Sequence, residues 1–372
     1  MTKKSGNNTA KYQYWLSNIE GIGPVTIRKF LQYAESAEEL YCIPDVQIES
    51  MVSIGEKERK KLISNRKWWD VDESWERFLK KGICFLSQEM EAFPQKLRNI
   101  DTAPYSIYIK GELPSEAYPS VAIVGARRCS EYGKTMAEKL GRALAEQGIS
   151  VISGMARGVD SYAHIGALKG KGKTYAVCGC GVDICYPSEN RSLYEQIWQS
   201  GGLISEYPPA TEPRAQLFPA RNRIISALSD TIVLVEAKEK SGSLITADFA
   251  MEQGRDVFAC PGRATDGLSF GCNSLIRQGA GIITSVEGFL EDMGICTKKS
   301  YVQQTLFENF TKISLEKEES LVYSCLDLRP KSLEELSYRT GMKPIFLAEL
   351  IQKMVKKGVI KEIFQNYYIR AE

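Results

Sequence analysis

One histidine, His164, is all that the 372 residues contain, which leaves little room for histidine-based catalysis or histidine-rich metal sites. No Ser-His-Asp set, Walker loop or metal cluster emerges along the chain. Asp160, Asp183, Glu206 and Glu236 are candidates for hydrolysis by location only, since each would need a base or sugar bound beside it. His164 lies in Ala163-His164-Ile165-Gly166-Ala167-Leu168, a setting that suits a packed, hydrogen-bonded core residue better than a catalytic base. The 10 cysteines lack the even spacing of a secreted disulfide scaffold. Cys178, Cys180 and Cys185 come nearest to a metal pattern, but no second pair has ligand spacing, so buried free thiols are expected.

Charge of one sign is also missing. Lys and Arg total 48 against 46 Asp and Glu, a net +2, so any anion-binding surface must come from local clustering. No apolar run nears the roughly 18 residues of a membrane span, and residues 1–8 lack a following apolar h-region. A cytoplasmic protein without membrane contact is expected.

What is present divides into regions of different pattern, and the length suits two or three domains. Tyr12 to about Tyr41 contains Ile19-Glu20-Gly21-Ile22-Gly23-Pro24-Val25, where two glycines permit a tight interhelical hairpin and Pro24 can start the second helix. This is similar to a helix-hairpin-helix of the sterile-alpha-motif-like kind, whose amides either face a phosphate or serve packing alone. Helical, lysine-rich sequence continues, giving a helical domain over 1–80. The link 81–119, with strand-like Tyr105–Gly111, should pack on the next domain.

From Ser120 short apolar runs alternate with helical segments: Val121–Gly125, Ile149–Gly154, Thr174–Gly179, Leu203–Tyr207, Thr231–Ala237, Val257–Cys260 and Gly281–Ser285. Such runs predict an α/β, Rossmann-like, mostly parallel sheet with helices on both faces, over 81–296. Ligands are expected outside the carboxyl ends of its strands. A polar linker spans 297–318. Over 319–372, helices Glu319–Leu328, Ser332–Thr340 and Lys343–Lys357 and a hairpin at Val359–Ile369 describe a winged helix-turn-helix. Its mixed charges favour protein interaction over base reading.

The run Phe218-Pro219-Ala220-Arg221-Asn222-Arg223-Ile224-Ile225 reads as a helix start with Pro219 in first position. Arg221 and Arg223 then sit at the positive end of the dipole, where a cation loses about 0.3–1 kcal/mol, and no local acid but Glu212 is near in sequence. An anion is expected there. Gly125-Ala126-Arg127-Arg128 does not satisfy G-x-G-x-x-G, and neither does Gly179-Cys180-Gly181, so no nicotinamide or flavin cofactor is expected. Arg127 and Arg128 directly after a strand suit an anion in the crevice. Ser153-Gly154-Met155-Ala156-Arg157-Gly158-Val159-Asp160 adds another arginine, with Asp160 as a helix cap. Ser241-Gly242-Ser243 opens a helix with free amides and hydroxyls, and Gly271-Cys272-Asn273-Ser274 forms a further glycine-bounded turn. The turn around Asp183, Pro187 and Asn190 reads as architectural.

Together these motifs resemble the DNA-processing protein A family (DprA, also called Smf). The resemblance runs through Val124-Gly125-Ala126-Arg127, Ser153–Asp160, Tyr186-Pro187-Ser188-Glu189-Asn190, Phe218–Ile225, Ser241–Ala247 and Gly271–Ile276. The family's usual Gly-Ser-Arg is Gly125-Ala126-Arg127 here, which removes a hydroxyl. The resemblance implies a non-catalytic Rossmann domain that binds single-stranded DNA, forms homodimers and helps load RecA recombinase in natural transformation. The expected nucleic-acid residues are Gly125, Arg127, Arg128, Gly154, Arg157, Phe218, Arg221, Asn222, Arg223, Ser241, Gly242 and Ser243, with Phe218 and Tyr207 stacking on bases. Two other readings stand beside it. One is a phosphoribohydrolase-like enzyme, whose Pro-Gly-Gly-x-Gly-Thr-x-x-Glu loop is met here only by Ser241-Gly242-Ser243. The other is an adaptor acting through the winged helix.

Overall fold

The computed structural model describes residues 5–295 and 315–371, in two compact units: one of residues up to 128 with 136–288, the other of 129–135 with 289 onward. The first begins with helices α1 (Ser5–Ser17), α2 (Pro24–Phe30), α3 (Ala37–Cys42), α4 (Asp45–Glu49), α5 (Glu56–Trp68) and α6 (Val71–Leu79). Gly21 turns with φ +72° before α2, and Pro24 occupies the first helical turn, as its fixed φ allows. Trp15, Leu16, Phe30, Leu40 and Leu62 fill the helical core, and Trp15 Nε1 donates to buried Asn65 at 2.7 Å.

The strands follow: β1 (Cys84–Ser87), then α7 (Gln95–Arg98), β2 (Ser106–Gly111), β3 (Ser120–Val124), α8 (Glu131–Glu146), β4 (Ser150–Ser153), α9 (Val159–Lys169), β5 (Thr174–Val177), α10 (Arg191–Ser200) and β6 (Gly202–Ser205). They continue with α11 (Leu217–Leu228), β7 (Thr231–Leu234), α12 (Gly242–Glu252), β8 (Asp256–Ala259), α13 (Phe270–Arg277), β9 (Gly281–Ile282) and α14 (Val286–Asp292). The sheet order is β1-β2-β6-β5-β4-β3-β7-β8-β9, parallel from β6 to β9. All seven apolar runs from residue 120 onward form strands of this Rossmann-like sheet. The link does more than pack on it: β1 and β2 extend the sheet antiparallel, pairing Phe85 with Tyr108 and Tyr108 with Ser205.

Strand periodicity decides what each face meets. Ile107, Ile109, Ala122, Val124, Tyr175 and Val177 pack with Ile224, Leu228 and Ala247 of α11 and α12. Tyr108, Ala176 and Leu203 turn the other way, against Leu193 and Ile197 of α10 and against Trp75 and Phe78 of α6. The chain lays down β3 to β6 in one direction, then crosses back so that β7 pairs with β3 on its other side. This reversal between β3 and β7 is a topological switch point, where flanking loops diverge and leave a crevice.

The second unit includes α15 (Lys317–Cys325), β10 (Lys331–Ser332), α16 (Leu333–Thr340), α17 (Pro344–Lys356), β11 (Ile360–Phe364) and β12 (Tyr367–Arg370). Its small antiparallel sheet has the order β10-β12-β11. Val322, Leu336, Leu347, Ile351 and Met354 form its core. Of the polar linker expected at 297–318, residues 297–314 lie outside the described residues.

Candidate nucleic-acid interface

An open groove of about 370 Å³ lies at the switch point, lined by Val124–Arg128 after β3 and by Lys238 and Lys240–Ser243 after β7. Phe218, Arg221 and Asn222 of α11 form a further wall, and Asp160 the floor. Gly125 is required here because a Cβ would meet Val159 Cγ2 at 2.8 Å. Gly158, at φ +76°, lies against the Ala126 and Arg127 carbonyls, where no side chain fits. The turns after β3 and β4 are therefore packed into each other.

Arg221 is 3% exposed. Its Nη1 donates to the Gly154 carbonyl at 2.9 Å and also to the Val177 carbonyl, tying α11 to the ends of β4 and β5. Burial lowers its pKa, and Asp160 is the largest opposing influence. Burial raises the Asp160 pKa, while Arg221 and two backbone amides pull it back. Those amides, Gly154 and Ala156, donate to Oδ2 at 3.1 and 3.4 Å. The expected role of Asp160 as a cap of α9 is corrected: it fixes the β4 turn and offsets the buried arginine. Gly154 is small for a related reason, since a Cβ would lie 2.5 Å from Arg221 Nη1.

The structure does not bring Arg223 into the groove. It ion-pairs with Glu206 at 2.5 Å, both side chains 10% exposed, and donates to the Thr102 and Ala220 carbonyls. The sequence offers these arginines no local acid but Glu212, and the fold supplies partners from farther away: Glu206 for Arg223 and the Gly154 and Val177 carbonyls for Arg221. Two residues apart on a helix means about 200° of rotation, so only one of them can face the strand ends. The helix also starts at Leu217, two residues before Pro219, which moves both arginines out of the first turn. Tyr207 lines the same separate cleft as Arg223. Burial and the hydrogen bond to Glu206 hold its hydroxyl pKa well above the usual range.

Phe218 stands at the groove wall, over Gly179, where a Cβ would meet its ring at 2.7 Å. The Arg127 guanidinium lies 5.6 Å from its centroid, and the Tyr186 ring lies 5.3 Å away on a neighbouring loop. Tyr186 and Pro187 line a small adjoining hollow with Arg127, Arg157 and Phe218. Arg157 is exposed and makes two bonds to Glu189, at 2.5 and 2.7 Å. A pair this exposed contributes about 0–1 kcal/mol.

Ser241 caps α12 and accepts from the Ser243 amide at 3.4 Å. Asn222 Nδ2 donates to the Gly242 carbonyl at 3.1 Å, so its amide braces this turn against α11. The positive end of α12 therefore faces the groove beside Lys238 and Lys240. Sequence reasoning passes over both lysines because Lys238-Glu239-Lys240 reads as a neutralised surface run. In three dimensions Arg128, Lys238 and Lys240 are exposed and form no ion pair among the described residues. It passes over Tyr186 as well, which sits in a turn whose residues otherwise look architectural.

Other candidates serve the scaffold. Thr174 Oγ1 donates to the Val151 carbonyl at 2.9 Å, so it accepts from His164 Nδ1 at 2.7 Å. Burial, then Arg221, holds the imidazole neutral and lowers its pKa to about 3. Asp183 accepts from the Ala210 amide. Asn273 exchanges two hydrogen bonds with the Gly262 backbone. Among the described residues no helix is long and apolar enough to cross a membrane.

A family model described as DNA recombination-mediator protein A matches residues 84–294. DNA processing protein DprA of Streptococcus pneumoniae is 37% identical over 283 residues, covering 76% of this chain and 97% of that protein. Its crystal structure superposes with a TM-score of 0.67, covering the same shares of the two chains. Protein Smf of a Synechocystis strain is 36% identical over 287 residues, covering 76% of this chain and 72% of that one. A Helicobacter pylori DNA processing protein A structure, described for its single-stranded DNA binding mode, is 31% identical with a TM-score of 0.51, covering 57% and 95%.

Proposed function

Because the chain belongs to the DNA recombination-mediator protein A family, we propose that its switch-point groove binds single-stranded DNA, protecting it and presenting it for recombination. The observation that carries this is the lining of the groove. Arg127, Arg128, Arg221, Lys238 and Lys240 surround it, against one carboxylate, Asp160, that is buried and held by amides. An anion gains from that imbalance wherever it lies along the groove. Phosphates are held by Arg127, Arg128, Lys238, Lys240 and the α12 end; bases stack on Phe218 and Tyr186, a contact worth about 1–3 kcal/mol per base. Arg157 joins by exchanging Glu189 for a phosphate. Arg221 acts from the α11 wall as a fixed, buried positive charge, and Gly154 and Asn222 position its neighbours.

This is a binding surface rather than a catalytic one. Asp160 is engaged by two backbone amides beside Arg221, and His164 is fully buried on α9. The RecA partnership and a homodimer through the Rossmann-like unit belong to the same proposal. The terminal strand β9, with Ile282 45% exposed, supports a contact between copies at that sheet edge. The C-terminal unit is a winged helix serving a protein contact. Its α17 exposes Ile345 and Phe346, apolar side chains that cannot hydrogen-bond base edges and that favour a protein contact. Gel-shift comparison of single-stranded and duplex oligonucleotides tests the central reading: a single-strand preference supports it, and no retardation of either overturns it.

A further inference from the structure

From α5 we infer a second single-stranded nucleic-acid contact, a basic track that extends the groove; it rests on the reading of the groove just given. At 100° per residue, Lys57, Lys60, Lys61, Ser64, Lys67 and Trp68 fall within an arc of about 120°. The burial pattern agrees: Leu62, Ile63 and Asn65 face inward, while Lys57, Lys60, Ser64, Lys67 and Trp68 are exposed. Two ion pairs touch this face, Lys60 with Glu56 at 2.5 Å and Lys67 with Asp45 at 3.5 Å. Both are exposed enough to exchange for phosphate at little cost. Lys57 and Lys61 have no ion pair among the described residues.

Helix electrostatics explains only part of the pattern. Lys67 suits the negative end of the dipole, but Lys57 stands in the first turn, where a cation is disfavoured. Trp68 is the independent sign. It is 68% exposed at the end of the lysine row, with its ring edge-on to Trp69 at 5.7 Å, and Trp69 in turn packs toward Tyr14. An exposed indole at the end of a lysine row offers a strand a face on which a base can stack. From Lys57 to Lys67 the helix rises about 15 Å, enough for several phosphates.

A second cleft lies between the track and the groove wall. Lys61 Nζ lies against Gly21, and Gly21 lines the cleft that Leu217 and Arg223 of α11 also line. Residue 218, next along α11, is the groove's aromatic wall. On this inference a strand leaving the groove past Phe218 crosses the cleft to reach the lysines of α5.

The test uses the full chain and oligothymidylates of about 12 and 60 nucleotides, the shorter within the site of a single groove. Lys57→Ala/Lys60→Ala/Lys67→Ala is expected to bind the long strand about tenfold more weakly, with the logarithmic salt slope reduced by about 2, and the short strand as before. Unchanged long-strand binding, or equal weakening at both lengths, would overturn the inference. Tryptophan fluorescence checks it without charge changes: the long strand quenches more than the short one, and Trp68→Phe removes the difference. Quenching that is the same with and without Trp68 counts against it. Failure of the groove reading shows elsewhere, in short-strand binding that survives removal of the Arg128 and Lys240 side chains.

Discussion

Arg221 Nη1 donates to the Gly154 carbonyl at 2.9 Å, and a Cβ on Gly154 would lie 2.5 Å from that nitrogen. One buried cation thus clamps α11 to the β4 turn, and the size of residue 154 is set by it. The groove's floor and one wall are a single packed object.

Gly154→Ala should therefore destabilise the fold by about 1–3 kcal/mol through overpacking. Arg221→Ala should cost more, about 3–5 kcal/mol, since it strips a buried carboxylate, Asp160, of its counter-charge. Chemical denaturation measures both. Equal stability of Arg221→Ala and the parent chain would show that this arginine is not structural.

Glu206 and Arg223 form the second buried pair, remote from the groove lining. Glu206→Ala leaves Arg223 uncompensated and should cost about 3–5 kcal/mol; replacing both with methionine should recover most of it. Affinity of the folded double variant for a strand of about 12 nucleotides, within the groove alone, should stay near that of the parent, measured by fluorescence anisotropy.

Phe218→Leu keeps apolar cover over Gly179 but removes the stacking face. Affinity for single-stranded DNA should fall by about 1–3 kcal/mol with the salt slope unchanged, because no charge is removed. Titrations at several salt concentrations separate these two quantities.

The one histidine gives a clean pH test. With its folded pKa lowered to about 3 from the usual 6.5, His164 stays neutral when folded while the unfolded chain takes up a proton below about 6.5. Its contribution is fully present above 6.5 and is lost as pH falls toward 3, by at most about 1.4 kcal/mol per pH unit. Asp160, with its folded pKa raised, works in the opposite sense, losing stability as pH rises through the carboxylate range. Denaturation midpoints between pH 7 and 4.5 should fall in the parent chain and flatten in His164→Gln.

The sheet is legible in the sequence because its strands are continuous apolar runs ending in glycine or small residues, a pattern that burial on both faces demands. The turns at its carboxyl edge are legible for the same reason. Which arginine faces the groove is not, because Arg221 and Arg223 differ only by helical phase, and the true start at Leu217 lies ahead of the proline. Glu206 is 17 positions from Arg223 along the chain, a separation that composition and local spacing do not bridge. Lys238 and Lys240 stay hidden because Glu239 between them masks a charge that only the fold sorts out. The strand β1 is concealed inside a link of mixed character, since four residues of alternating burial are too short to declare a period.

On this proposal, exposed cations at the β3–β7 switch point, which form no ion pair among the described residues, hold a single strand by its phosphates. The most direct measurement is the salt dependence of oligothymidylate binding for Arg128→Ala/Lys238→Ala/Lys240→Ala, with folding checked by circular dichroism. The expected result is a folded protein with weakened binding and a logarithmic slope shallower by about 2, at about 0.7 for each phosphate no longer neutralised. A folded variant with the parent's affinity and slope would contradict it.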